Sequence, residues 1–199
     1  MLLSVKKKPK FSKDVKLATF ASLLKESDLG CVLLAGALLE NTLLHIHEIQ
    51  SFLDLKGNVL EGFFKQRIFG DFNSKINLGY ARNIITCDQY DALHVIRNLR
   101  NEAAHCNFDF RLDDTGVIDH LKKLGKFDAK IDENRILEFE TWLPEGDRET
   151  HKFLFVVRCH VIFTELQTKL MEQCERLAML RDFKMETFDK ETDTSAEKF

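Results

Sequence analysis

Two histidines, two arginines and two asparagines are concentrated between Asp88 and His105, in the stretch DQYDALHVIRNLRNEAAH. Projected as a helix at about 100° per residue, His94, Arg97, Asn98, Asn101 and His105 fall on one side, with Arg100 on the flank. Ala92, Val95, Ile96, Leu99 and Ala103 gather on the other, the side a core would cover. An imidazole titrating near neutral pH can take or give a proton, a guanidinium can offset anionic charge, and an amide can orient either. The same residues also describe the solvated face of an ordinary amphipathic helix, so the pattern alone leaves both readings open. Asp88 is the expected N-cap of this helix, with Asp91 adding negative charge where the first turn favours it.

Other site chemistries find little support. Neither a Walker loop nor a G-x-G-x-x-G occurs. His45 and His47 are two residues apart and point away from each other on a helix, and His47-Glu48 lacks the second histidine of a zinc-protease helix. His120, His151 and His160 stand alone. No cysteine has a histidine at helical spacing; Cys87 meets only Tyr90 and Asp91. No metal ligands and no cofactor are therefore expected.

Composition sets the class. The chain has 199 residues, 44% hydrophobic and 31% charged, which describes a soluble globular protein able to bury a core. Only Pro9 and Pro144 punctuate it as prolines, which favours helices. A net charge of −3 is wrong for an autonomous reader of nucleic-acid phosphate. Charge is uneven, however: Lys6, Lys7, Lys8 and Lys10 make a basic arm that could touch phosphate weakly, while Asp182, Glu186, Asp189, Glu191, Asp193 and Glu197 crowd the end. Five cysteines without a C-x-x-C pair point to reduced thiols and a cytoplasmic protein. No uninterrupted apolar run approaches 18 residues and the opening does not read as a signal peptide, so no membrane partner is expected.

In chain order, residues 1–11 read as a flexible arm, 12–181 as a single helical domain and 182–199 as a disordered acidic tail. Ser12 caps a helix to about Glu26, and Ser27 or Asp28 caps a longer one from Leu29 to about Leu55. The first half of that longer helix is apolar nearly all round, which makes it central to the domain or shared in a homodimer. Glu40 and Asn41 interrupt it, as core anchors or as part of a surface. A short helix from Val59 to Lys65 follows, then one capped by Asn73 or Ser74 and running through Ile76, Tyr80 and Ile84. Beyond His105, Val117 to Leu124 forms a helix closed by Gly125, and one short strand or hairpin is allowed between residues 127 and 144. The last helix starts at Asp147 and ends near Arg181. The expected fold is an all-α helical bundle.

Two resemblances bear on function. Arg100-Asn101 followed by His105, in the form R-N-x-x-x-H, resembles the signature of the HEPN superfamily, whose members include metal-independent ribonucleases. That likeness implies His105 as acid or base toward RNA, Arg100 against phosphate charge and Asn101 orienting either, with the site completed by a second subunit. A longer block, from about Cys31 to His105, resembles the mannitol operon repressor (MltR) family. It is carried by VLLAGALLENTLL, Phe63-Phe64-Lys65, Phe72-Asn73-Ser74-Lys75-Ile76, Leu78-Gly79-Tyr80-Ala81, Ile84-Ile85, Asp88, Tyr90, Leu93, Ile96-Arg97-Asn98-Leu99-Arg100-Asn101 and Ala104-His105. Residues 111–148 lie outside the likeness. It implies an all-helical participant in repression of a sugar-alcohol operon, or a paralogue with another target. No helix-turn-helix with a basic recognition helix is legible, so action through a protein partner is expected, with His94, Arg97, Asn98, Arg100, Asn101 and His105 as the binding face.

Overall fold

A computed structural model describes residues 20, 22–54, 70–106, 110–124 and 151–196. Among these there are five helices and no strand: α1 Asp28–Asp54, α2 Phe72–Ala81, α3 Cys87–His105, α4 Thr115–Leu124 and α5 His151–Ala196. The all-α expectation holds. The basic arm, the piece from Val59 to Lys65, Gly125 and any strand between 127 and 144 lie outside the described residues, as does most of the first expected helix. That helix is described at Phe20 and from Ser22, and it ends in turns from Lys25 N–H to the Ser22 carbonyl (3.1 Å) and from Glu26 N–H to the Leu23 carbonyl (3.2 Å).

Helix starts follow local side-chain chemistry. Ser27 Oγ accepts from the Gly30 N–H at 3.1 Å and opens α1, as its sequence predicts. Asp71, not Asn73 or Ser74, caps α2, accepting from the Ser74 N–H at 2.6 Å. α3 begins at a reciprocal capping box: Gln89 Oε1 accepts from the Thr86 N–H at 2.9 Å, and Thr86 Oγ1 from the Gln89 N–H at 3.2 Å. Thr86 therefore displaces Asp88 as the cap, because T-x-x-Q satisfies two open N–H groups where one aspartate would satisfy one. Asp88 becomes the acidic residue of the first turn.

Helix ends depart from the expectation in two places. α2 stops at Ala81, and Asn83 takes a left-handed backbone (φ 56°) that turns the chain. The N–H groups of Ile84 and Ile85 then close onto the Gly79 carbonyl at 2.8 and 3.3 Å, so Ile84 lies beyond the helix that was expected to include it. α5 continues to Ala196, through most of the stretch assigned to a disordered tail. Residues 182–196 contain no glycine or proline, and Glu186 and Lys190 sit four apart, so nothing in that stretch breaks a helix despite its charge.

The chain gathers into two compact units, residues 1–38 with 91–164, and 39–90 with 165–199, where the sequence suggests one domain. The divisions fall inside α1, α3 and α5 and not at a linker, which is why composition gives no boundary. In the first unit, Phe20, Cys31, Val32, Ala35, Leu93, Ile96, Leu99, Leu112 and Leu124 are buried, as is every residue from Phe155 to Phe163. Asp28 ties the α4 approach to α1, accepting from the Leu112 N–H at 2.9 Å and lying 3.3 Å from Lys152 Nζ. In the second unit, Leu39, Leu43, Ile46, Phe72, Ile76, Ile84, Ile85 and Leu166 form the apolar core.

α1 is not apolar all round in its surroundings. Leu34 is exposed, Asn41 and His45 face solvent, and burial runs along one side. Within its segment Asp28–Ser51 an 18-residue window reaches a mean hydropathy of 1.6, long and apolar enough by composition to cross a membrane although Glu40, Asn41, His45, His47 and Glu48 interrupt the segment.

Candidate functional site

α3 splits its polar residues by depth. Asn98, Asn101 and His105 are exposed, while His94, Arg97 and Arg100 are half-buried. The covered side holds Ala92, Leu93, Ile96, Leu99 and Ala103; Val95 is only partly covered, and Leu93 joins a core in which the helical projection did not place it. Arg97 donates from Nη1 to Asn98 Oδ1 at 3.1 Å, which steadies two neighbours on the outer face. Partial burial lowers the His94 pKa, Arg97 lowers it further, and Asp91 opposes both, so His94 favours the neutral ring.

Arg100 is placed by a glycine. A Cβ built on Gly36 of α1 would meet Arg100 Cδ at 2.7 Å, Cγ at 3.3 Å and Cβ at 3.4 Å. Gly36 therefore leaves the space in which the aliphatic stem of Arg100 lies along the backbone of α1. On a helix His105 is about 140° round from Arg100, so one copy of α3 does not bring guanidinium and imidazole onto one line. Asn101 and His105 do share the open face. The arrangement can hydrogen-bond and can pair with an anion at the surface.

A second polar cluster went unassigned in the sequence. Lys75 is 4% exposed, and its Nζ donates to Glu40 Oε1 at 2.6 Å. His47, fully buried, meets the Lys75 carbonyl through Nε2 at 2.8 Å. A carbonyl only accepts, so Nε2 carries the proton. Burial, first, and the nearby cations Arg82 and Lys75 lower its pKa to about 4, against the support of that backbone hydrogen bond. Arg82 also reaches Ser51 Oγ at 3.4 Å. Glu40 is thus an anchor within its unit, whereas Asn41 is exposed. The signal for the pair was one glutamate inside the apolar α1 and one lysine inside FNSKI, two segments whose contact no local pattern reveals.

The first unit also contains a cleft of about 220 Å³ between α4 and the start of α5, lined by Ile118, Leu121, Lys122, His151, Leu154, Phe155 and Arg158. Among the described residues no cluster of three or more histidines, cysteines or acids could hold a metal ion. Lys6, Lys7, Lys8 and Lys10 lie outside the described residues. Comparison with family models, with curated proteins and with solved structures gives no match.

Proposed function

We propose that the chain is a transcriptional regulator of the mannitol operon repressor type, acting through a protein partner that docks on the α3 face. One observation carries this reading: segments that bear the resemblance bear physically on one another. Gly36 and Arg100 belong to two of them and pack together. Glu40, in the same segment as Gly36, forms a largely covered ion pair with Lys75, in a third. The likeness thus spans residues that pack on one another across helices. Exposed amides and an imidazole beside a half-buried guanidinium suit a polar protein interface better than a duplex, for which the net charge of −3 is unfavourable. Five free cysteines fit a reducing, cytoplasmic setting, and a homodimer remains part of the proposal, with exposed Leu34 on α1 as its apolar contribution.

The test is a reporter under a sugar-alcohol-inducible promoter. The parent lowers expression, and a chain carrying Asn98→Ala, Asn101→Ala and His105→Ala together does not, although it folds normally. Tight, sequence-specific binding of the purified protein to promoter DNA at physiological salt would overturn the partner-mediated reading.

The runner-up is a HEPN-like, metal-independent ribonuclease or toxin using Arg100, Asn101 and His105, favoured by the exposure of Asn101 and His105. Incubation with total cellular RNA in chelator separates the two. Cleavage by the parent but not by folded Arg100→Ala and His105→Ala variants establishes the nuclease.

A further inference from the structure

The cleft between α4 and α5 lies in the first unit, and its chemistry is one-sided. Ile118, Leu121, Leu154 and Phe155 supply apolar wall, and Lys122, His151 and Arg158 supply basic groups; among the described residues the lining contains no acid. Arg158 is 7% exposed, so a permanent cation is held at depth beside apolar side chains. Lys122 is 72% exposed at the side chain and makes a loose surface pair with Asp119 at 3.0 Å. His151 is bonded to exposed Asp113 at 2.8 Å. Both carboxylates sit outside the described lining, whose titratable side chains are all basic. Leu154, 44% exposed, leaves part of the apolar wall open to solvent.

We infer that this cleft binds a small organic carboxylate with an apolar body. The volume of about 220 Å³ is below the range of drug-sized pockets and holds a ligand on the scale of a substituted benzene ring. A carboxylate suits the site better than a phosphate. A guanidinium takes a planar carboxylate on two parallel bonds, and a second negative charge would cost more desolvation against Leu121, Leu154 and Phe155. For a regulator, such a ligand is an effector; the inference stands on the cleft alone and does not need the α3 face to be a docking site.

The experiment titrates the full chain, labelled with ¹⁵N, with phenylacetate, phenylacetamide and inorganic phosphate in parallel. Phenylacetate shifts the amides of residues 118–122 and 151–158 saturably, with a dissociation constant on the order of 1 mM or below, as a ligand of that size allows. The neutral amide and the bare anion each bind at least about tenfold more weakly, since each lacks one half of the match. Leu154→Glu, at a partly exposed position that tolerates a charge, abolishes the shifts, and Lys122→Gln weakens them severalfold without unfolding the chain. Equal binding of phosphate or of the amide, shifts located elsewhere, persistence in the Leu154→Glu chain, or no binding of phenylacetate would each overturn the assignment.

Discussion

The polar cluster around Lys75 and the polar face of α3 contain the same kinds of side chain and do opposite things. In the cluster, a lysine and a histidine are buried and a glutamate is half-buried, bonded to one another or to backbone. On the face, amides and a histidine are open to water, Arg97 bonds its neighbour Asn98, and the stem of Arg100 lies against Gly36. The lesson concerns where polar residues come from in sequence. The face gathers them on one helix, where helical projection finds them. The cluster gathers them from α1 and α2, with Glu40 and Lys75 35 residues apart, where no periodicity finds them. Concentration along the chain marks surfaces more readily than it marks buried networks.

Four measurements test that contrast. Lys75→Met should be the most damaging, because it leaves Glu40 without its cation; removing one member of a buried pair costs about 3–5 kcal/mol, read as a fall in the denaturant midpoint. A loss under about 1 kcal/mol would place the pair in effective contact with water. His47 comes next. Its pKa is lower in the fold, about 4 against 6.5, so the unfolded chain binds the extra proton first. The stability it contributes is complete above about pH 6.5, declines as pH falls toward 4 and levels off below that. The full swing is about 3 kcal/mol, and His47→Gln, which retains a donor for the Lys75 carbonyl, should flatten that part of the pH profile. Gly36→Ala gains helix propensity but drives a methyl into the Arg100 stem; a net loss of about 1 kcal/mol is expected, and Arg100→Ala in the same chain should relieve it. His105→Ala, fully on the open face, should change the unfolding free energy by no more than about 0.5 kcal/mol. A larger loss would move His105 from the face to the framework.

Much of the fold was legible because helices announce themselves by period and punctuation. α1 and α3 follow the expected spans within a residue or so, and α4 starts two residues early. Caps were less legible. Thr86-Cys87-Asp88-Gln89 contains both a good single cap and a capping box, and the box prevails by satisfying two groups at once. The stop of α2 rests on the left-handed backbone of Asn83, a conformation that asparagine permits but does not announce. α5 runs past its expected end because acidic composition without a glycine or proline does not break a helix. At the site, the six residues of the α3 face were found from spacing, but their division into exposed and half-buried was not. For Arg100 the placement depends on Gly36, on a different helix, and a glycine inside an apolar run carries no sign of what will lie across it.

Gly36 has one more effect. A free arginine side chain explores many rotamers, and fixing them typically costs up to about 2 kcal/mol. The packing of the stem along α1 means that most of this loss is taken when the chain folds, not when something arrives at the guanidinium. A partner meeting Arg100 finds a group with little freedom left to surrender, so its affinity depends chiefly on the fit of its own acceptors.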